Sequence, residues 1–524
     1  MKTTRPLSFL GPILRRSALR SPQLIRWQQR FRRLYASRYT IGLLFGLGVV
    51  RALVFLIAYP PAHGADSYDY FLSAYQYKDL IIPLVLDGTY PLYPLLIYLT
   101  HYVLGSIYVL IGFQLLLSAA QGVLFYVGLR PYSPALGFLV ALMVISDAQT
   151  GILYNFTSTE PLYIFLLSLA FALLLIQIQR RPQRRFVPGD VLLGATIAAL
   201  ILTRPVGRYL IVPLGVLFLL STRSWWRSGL VLAGFGLALM VFMLFNRVAL
   251  NRLQVDTGSD VMIAGPVYRS GLLNADNGPA SARLIELTER CGITDPRKGV
   301  ERTRCLIEQT GSLAEAQRLY TRAYRELIMT HPIDYGRLVL IEANDFLVMS
   351  GQHYLDYVIL PSDLQCANMD TRTANEVQRY LDRDWLLAEQ PGMSADQLTP
   401  IIRDIRAAMC PPWHNSSAAR EMVDEIAFRY RSLSRPHPYL WYEALLLAIL
   451  LISWARRLAL PILAAGAILA NHVAISALIL NVQPRYVAVT NPYKGVLVLA
   501  LVFIVTKIMI FLADEWLVRR SADR

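Results

Sequence analysis

The sequence predicts an all-α polytopic membrane protein, with about ten transmembrane helices and a mainly helical extracytoplasmic domain. Hydrophobic residues make up 55% of its 524 residues and charged residues only 17%, whereas a soluble domain carries about 25% charge. Several apolar runs, among them 229–245, 458–480 and 495–512, approach the roughly 20 residues that cross a bilayer as a helix. We therefore expect an integral membrane protein.

The net charge of +15 does not indicate a nucleic-acid partner. The basic residues are spread over short loops between apolar runs, which is typical of cytoplasmic flanks. Residues 1–38 contain many Arg and Lys and no Asp or Glu. We interpret them as a cytoplasmic basic leader, because no short apolar region with a small-residue cleavage site follows them. A mitochondrial presequence of similar composition is the alternative.

Ten apolar runs predict the transmembrane helices. They lie at about 39–59, 106–129, 135–152, 161–178, 191–203, 208–220, 229–246, 438–454, 458–480 and 493–512. Residues 91–104 are also apolar, but their short length and Pro91 and Pro94 favour a re-entrant or interfacial segment at the end of a first outer loop, 60–105. Ten spans place every arginine cluster inside, whereas an eleventh would place the arginines of 180–185 outside.

These spans divide the chain into five predicted parts. They are the leader (1–38), helices one to seven (39–246), an extracytoplasmic domain (247–437), helices eight to ten (438–513) and a cytoplasmic tail (514–524). Ser312 and Glu315 form a capping-box pattern at the start of an amphipathic stretch in the extracytoplasmic domain, which indicates a folded helical domain.

All four cysteines fall in that domain: Cys291, Cys305, Cys366 and Cys410. An even number confined to one loop favours disulfides in an oxidising compartment, and free buried thiols are the alternative. Because no two cysteines have the C-x-x-C spacing, we expect no zinc site there.

The first outer loop contains the candidate catalytic base. It reads H-G-A-D-S-Y-D-Y over residues 63–70 and follows directly from the first predicted helix, so Asp66 is expected at the membrane–water interface. A carboxylate there can accept a proton from an acceptor hydroxyl. The alternative is a solvated loop acid. Asp69 and Tyr70 are expected to support the site.

Three arginines are predicted at the outer ends of helices. Arg204 and Arg208 lie in the break between the fifth and sixth helices, and Arg485 follows the ninth with Tyr486 beside it. Placing a charged arginine at membrane depth costs free energy, so such a residue indicates a functional site by default. The planar guanidinium can bind phosphate through two hydrogen bonds. Snorkelling to the interface is the alternative for the arginines, and an aromatic belt is the alternative for Tyr486.

Two further polar residues lie at or within predicted helices. Glu160 opens the fourth helix on the outer side, where it either complements the helix dipole or orients a loop of the site. His472 lies within the ninth helix and is expected to hydrogen-bond a neighbouring helix. An acid and several arginines at one membrane face suit a phosphorylated lipid that enters sideways from the bilayer.

Several short motifs, in order along the chain, resemble the GT-C superfamily of integral-membrane glycosyltransferases. The chain particularly resembles bacterial members like the dolichyl-phosphate-mannose mannosyltransferases and the lipid A aminoarabinose transferase. The matching segments are D-S-Y-D-Y (66–70), P-L-Y-P-L-L (91–96), T-E-P-L-Y (159–163), L-T-R-P-V-G (202–207), H-P (331–332) and R-Y (485–486). Ser67 stands where the family has a second acid, so chemistry without a divalent metal or other cofactor is favoured, and no metal ligands are predicted.

The resemblance implies that the transmembrane helices have the GT-C arrangement and that the protein is an enzyme. It would transfer a sugar from a polyprenyl-phosphate carrier to an extracytoplasmic hydroxyl on a glycan, lipid or protein. The implied location is a bacterial inner or plasma membrane with the active site outside. Asp66 would be the general base, and the three arginines would hold the departing lipid phosphate, with support from Tyr70, Glu160, Tyr486 and Asp69.

Two other functions fit the sequence less well. A transporter or flippase of a phosphorylated lipid would use the same arginines. Transporters often show internal repeats and midplane sites, whereas here no repeat is detected and the candidate groups gather at one face. A membrane-anchored binding domain is the third reading, and the polar groups beside the membrane argue against it.

Overall fold

The structure is a computed structural model. It describes residues 39–58, 67–77, 90–180, 187–250, 265–292, 299–311, 313–348, 457–480 and 484–522, and the single positions Tyr35, Ser37, Glu421, Glu425, Leu447 and Val482. Every element assigned in these ranges is a helix, and they contain no β-strand. The all-α prediction is confirmed for the described part of the chain.

Seventeen α-helices are numbered here in chain order. They are α1 (Thr40–Ala58), α2 (Ser67–Gln76), α3 (Leu92–Ile97), α4 (Ile107–Leu129), α5 (Pro134–Ser146), α6 (Ala148–Leu153), α7 (Glu160–Gln179), α8 (Pro188–Thr203), α9 (Ile211–Thr222), α10 (Trp225–Leu250), α11 (Pro279–Arg290), α12 (Gly299–Thr310), α13 (Leu313–Thr330), α14 (Pro332–Val348), α15 (Ala459–Leu478), α16 (Pro484–Ala488) and α17 (Asn491–Ala522). A π-helical turn, Tyr98–Val103, continues α3, and a 3₁₀ turn, Pro205–Tyr209, separates α8 from α9.

Within the described ranges, six helices are long and apolar enough to cross a membrane: α1, α4, α7, α10, α15 and α17. Shorter apolar helices cover the predicted third, fifth and sixth spans. Nine of the ten predicted segments are therefore helical. The predicted eighth span, 438–454, lies outside the described residues apart from Leu447, so the count of ten and the position of the bilayer stay predictions.

The third predicted helix, 135–152, is wrong as a continuous element. α5 ends at Ser146, and Asp147 takes an extended backbone conformation before α6 begins at Ala148. The Asp147 carboxylate accepts hydrogen bonds from the Gln149 amide at 3.1 Å and from the Thr150 hydroxyl. Because this side chain caps the first turn of α6, it competes with the continuous helix and interrupts it.

Small residues allow α8 and α10 to approach to backbone contact. A Cβ added to Gly194 of α8 would overlap the backbone of Val231, and a Cβ added to Gly234 of α10 would overlap the backbone of Val191. Such close approach replaces side-chain interdigitation with backbone contact, as at small-residue interfaces in membranes. α8 and α10 are thereby held together along their length.

A buried ion pair joins three helices at the ends opposite Glu160. Arg227 of α10 contacts both carboxylate oxygens of Asp190 in α8, at 2.7 and 2.8 Å. It also donates to the carbonyls of Gln177 and Arg180 at the end of α7, at 2.7 and 3.2 Å. From the sequence, Arg227 is expected to be a basic loop residue, whereas in the structure it is buried and connects α7, α8 and α10.

Helices α11, α12 and α13 form a separate helical domain with its own apolar core, whose buried members include Leu284, Leu306 and Tyr320. A disulfide joins Cys291 to Cys305, which confirms the predicted cross-linking for this pair. Cys366, Cys410 and Ser312 lie outside the described residues. The extracytoplasmic placement of this domain stays a prediction.

Candidate functional site

An ion pair between two helix ends lies at the centre of the candidate site. Arg204 Nη1 lies 2.6 Å from Glu160 Oε1, and the two side chains are only 9% and 1% exposed. Glu160 is the first residue of α7. Arg204 follows α8 with an extended backbone, the conformation that Pro205 imposes on the residue before it. The sequence break T-R-P thus turns the guanidinium out of the helix and toward α7.

Two aromatic rings flank this guanidinium. The Arg204 Cζ atom lies 4.8 Å from the ring centroid of Tyr486 and 5.9 Å from that of Tyr163. Tyr163 shares a face of α7 with Glu160 because three residues separate them, and Tyr486 belongs to α16. Such rings attract a cation through their π faces. Three predicted site residues, Glu160, Arg204 and Tyr486, are thus brought together.

A histidine on α15 completes the wall of the site. His472 Nδ1 lies 2.8 Å from the Ile468 carbonyl oxygen, and Nε2 lies 3.1 Å from the Tyr163 hydroxyl. A carbonyl only accepts, so in the neutral ring the partners assign the proton to Nδ1, and the Tyr163 hydroxyl donates to Nε2. The expected bond to a neighbouring helix is confirmed. Asn471 beside it donates to the Val206 carbonyl at 3.1 Å.

The first predicted outer loop is attached to the segment that leads into Glu160. Ser67, at the start of α2, donates its hydroxyl to the Thr157 carbonyl at 2.7 Å, and the Thr157 hydroxyl lies 3.2 Å from that of Ser67. Both side chains are buried. Thr157 precedes Glu160 by three residues, so the beginning of α2 and the ion pair belong to one corner of the bundle.

Tyr70 is buried one turn further along α2. Its ring meets that of Tyr93 edge to face at 5.4 Å. The Tyr93 hydroxyl donates to Gln114 Oε1 at 2.8 Å, and the Gln114 amide donates to the carbonyls of Tyr154 and Phe156 at 2.9 and 2.8 Å. Tyr70 therefore packs on a tyrosine whose hydrogen-bond network reaches the segment between α6 and α7, and the role predicted for Tyr70 in the site stays a prediction.

The remaining predicted site residues are distributed differently. Asp66 lies outside the described residues, and the side chains of Asp69 on α2 and Arg485 on α16 do as well. Arg208 is exposed on the 3₁₀ turn that follows Arg204. The roles of all four stay predictions.

A second buried charged group had no counterpart in the sequence-based prediction of the site. Arg51, in the middle of α1, donates to the carbonyls of Val144 at 2.9 Å and Ser118 at 3.0 Å. Asp147 interacts electrostatically with both Arg51 and Lys494 of α17. All three are buried. The sequence feature that could have revealed this group is the charge itself, since an ionisable residue within an apolar run marks a functional or structural site.

Asn491 links α17 to this second group. Its amide donates to Gln149 Oε1 at 2.7 Å, and the Lys494 ammonium lies 3.5 Å from Asn491 Oδ1. Among the residues that the structure describes, no three His, Cys, Asp or Glu side chains gather as a metal site would require. The preference for metal-independent chemistry stays a prediction, because Asp66 is outside that set.

No protein-family model matches the chain, and no curated protein matches it. The resemblance to GT-C glycosyltransferases therefore rests on the short ordered motifs alone.

Proposed function

We propose that this protein is a membrane glycosyltransferase that moves a sugar from a polyprenyl-phosphate carrier to an acceptor hydroxyl. The observation that carries the proposal is the buried Glu160–Arg204 pair, with the rings of Tyr163 and Tyr486 against the guanidinium. A buried ion pair is a costly way to join two helices, because apolar residues of similar volume often do so at no loss of stability. Its presence at helix ends favours a chemical role.

Arg204 would stabilise the departing lipid phosphate. As the bond from the sugar C1 to the phosphate oxygen breaks, its electron pair passes to the phosphate, whose negative charge grows. A guanidinium already fixed by Glu160 meets that charge without reorganising, and the low-dielectric surroundings strengthen the interaction. Arg485 and Arg208 would add positive charge from the neighbouring α16 and 3₁₀ turn.

Asp66 would act as the general base in the same step. The acceptor oxygen forms its bond to C1 while its proton passes to the Asp66 carboxylate. One contact supports this assignment: Ser67, the next residue, donates a hydrogen bond to the carbonyl of Thr157, which precedes Glu160 by three residues. Asp69 and Tyr70 would support the loop, and Tyr486 would hold the plane of the Arg204 guanidinium.

The proposed setting follows from the substrate. The donor would be a polyprenyl-phosphate sugar that reaches the site from the bilayer, and the acceptor would be a glycan, lipid or protein outside the cytoplasm. We infer a bacterial inner or plasma membrane, with the site on the extracytoplasmic face. No metal is invoked in the step.

A lipid transporter or flippase is the second candidate. One observation favours it: the chain is interrupted between α5 and α6 at Asp147 and between α8 and α9 at Arg204. Discontinuous helices with charged groups at the breaks are common in transporters. The test must therefore separate transfer of the sugar from movement of the lipid.

Reconstituted protein provides that test. Proteoliposomes would contain polyprenyl-phosphate with a radiolabelled sugar, together with a membrane extract as the source of acceptor. We expect label to appear on a new acceptor and to be lost from the lipid. Label that stays on the lipid but becomes accessible from the other leaflet would contradict the enzyme and support the flippase. Mass spectrometry of lipids and glycans from cells lacking the protein would then identify the acceptor.

Matched variants would connect this activity to the site. Arg204→Lys keeps a positive charge but loses the planar fork, and we expect about a 10²-fold lower turnover. Arg283→Lys is the control, because Arg283 is exposed in the helical domain, where it pairs with Glu286 on the same helix. Equal activity in the two variants would remove Arg204 from the mechanism.

A further inference from the structure

The outward side of α14 is apolar, although the helix belongs to a polar stretch of the sequence. Ile333, Leu340, Ile341 and Val348 recur at helical spacing on one side, and Ile333 and Leu340 are 84% and 71% exposed. Met329, at the end of α13, adds to the same surface at 82% exposure. Large apolar side chains clustered on one exposed face mark a binding surface rather than a solvated one.

The opposite side of α14 packs directly on the transmembrane bundle. The Tyr335 hydroxyl donates to the carbonyl of Leu478, the last residue of α15, at 2.7 Å. Phe346 and Leu347 are buried in the same apolar cluster as residues of α7, α15 and α17. α14 therefore lies against the helices that cross the membrane and is not remote from the bilayer.

α14 is attached to the end of a helix that has the length and composition of a membrane span. Leu478, whose carbonyl accepts the Tyr335 hydroxyl, has an exposed side chain, and so does Leu463 on the same helix, α15. If α15 crosses the bilayer, these leucines would face lipid. The neighbouring apolar face of α14 would meet the same environment.

We propose that α14 is an interfacial helix that lies in the membrane surface, with Ile333, Leu340, Ile341 and Val348 against the lipid acyl chains. Two exposed acids fit this orientation, because Asp334 and Asp345 lie along one edge of the apolar face and would reach the headgroups or water. Arg337 and Asn344 lie within the exposed face. The aliphatic stem of Arg337 can cover apolar surface while the guanidinium reaches lipid phosphates, and the Asn344 amide would meet the headgroup region. This inference does not depend on the proposed glycosyl transfer.

The bilayer is favoured over a protein partner because α14 is hydrogen-bonded to Leu478, where a helix long and apolar enough to cross a membrane ends. A helix held at that point would lie where the bilayer meets water. The membrane would also fix the distance of the helical domain from the bundle, since α13 and α14 are joined at His331.

Fluorescence of the full-length protein in nanodiscs tests the proposal. A polarity-sensitive fluorescent amino acid would replace Leu340 or, in a second variant, Ile333. The nanodiscs would contain phosphatidylcholine and phosphatidylglycerol, with or without phosphatidylcholine brominated on its acyl chains. The matched control is the same probe at Arg318, whose side chain is 63% exposed on α13.

We expect brominated acyl chains to quench the probe at Leu340 and Ile333 at least about twofold more than at Arg318, as for a helix buried at the headgroup–acyl boundary. Quenching at both positions no greater than at Arg318 would overturn the proposal. A blue-shifted emission without bromine quenching would also overturn it, because it would show that protein rather than lipid covers the face.

Discussion

The guanidinium of Arg204 and the carboxylate of Glu160 meet at 2.6 Å inside the helix bundle, although they lie at the ends of different helices. Glu160 begins α7, Arg204 follows the end of α8, and each is followed by a proline, Pro161 or Pro205. The start of α7 and the end of α8 therefore meet with opposite charges. The pair is thus both a contact between helices and a charged site at a helix end, and the two roles can be separated by substitution.

Glu160→Gln removes the counter-charge and keeps the size of the side chain. We expect it to destabilise the protein by about 3–5 kcal/mol, because the Arg204 charge stays buried without its carboxylate partner. Thermal unfolding in detergent would measure the loss. In the double variant Glu160→Gln/Arg204→Gln, the loss should be smaller than the sum of the two single losses. Additive losses would show that the pair contributes no coupling.

The Asp190–Arg227 pair provides the matched comparison for activity. Asp190→Asn leaves Arg227 buried without a counter-charge, so we expect a destabilisation of about 3–5 kcal/mol. Because this clamp lies at the opposite ends of α7 and α8 from Glu160, turnover per folded molecule should stay unchanged, whereas Glu160→Gln should lower it. A turnover loss in Asp190→Asn similar to that in Glu160→Gln would indicate that both act only through folding.

The Cys291–Cys305 disulfide should stabilise the helical domain. The two cysteines are 14 residues apart, and closing a loop of this length contributes about 3 kcal/mol in the chain-entropy model. The double variant Cys291→Ser/Cys305→Ser should therefore unfold at lower denaturant concentration, and reductant should lower the stability of the parent protein but not that of the variant. Equal stability of variant and parent under oxidising conditions would contradict this expectation.

Glu326 should make the helical domain sensitive to acid. Burial tends to raise the pKa of its carboxyl, but hydrogen bonds from the amides of Ala280 and Ser281, at 3.0 and 2.7 Å, outweigh it and hold the pKa below the usual 4.5. A lowered pKa in the folded state contributes stability above about pH 4.5, and this contribution is lost as the pH falls through the folded-state value.

Hydrogen exchange would reveal this acid effect. The amides at the start of α11 should lose protection as the pH falls below about 4.5, after correction for intrinsic exchange rates. In Glu326→Gln, the protection of the same amides should depend much less on pH in this range. Glu315→Gln is the control, because Glu315 is exposed and pairs with Arg318 on its own helix. An unchanged pH profile in Glu326→Gln would contradict the capping role.

The helical class and most helix positions could be predicted because they depend on local composition. An apolar run near span length defines a membrane helix wherever it packs, and nine of the ten predicted segments are helical. The interruption at Asp147 could not be predicted in this way, because the apolar run continues on both sides of a single acid. Only the hydrogen bonds to Gln149 and Thr150 show that the acid caps a new helix.

The pairing of charges depends on helix packing and was therefore only partly predictable. Topology placed Glu160 and Arg204 at one face, which was sufficient to expect them near each other. Arg227 falls between the predicted sixth and seventh helices. No nearby residue in the sequence indicates that Asp190 faces it from a neighbouring helix. Arg51 and Lys494 could be singled out in the sequence, because each is a charge inside or beside an apolar run. That both lie near Asp147 could not be predicted, because it depends on the interruption between α5 and α6.

The bond from Tyr335 to the carbonyl of Leu478 makes α15 a mechanical connection between the helical domain and the ion pair. His472 lies six residues before Leu478 on the same helix, a rise of about 9 Å, and it accepts a hydrogen bond from the Tyr163 hydroxyl beside Arg204. A displacement of the helical domain that moves the end of α15 would therefore also change the distance between this imidazole and the tyrosine.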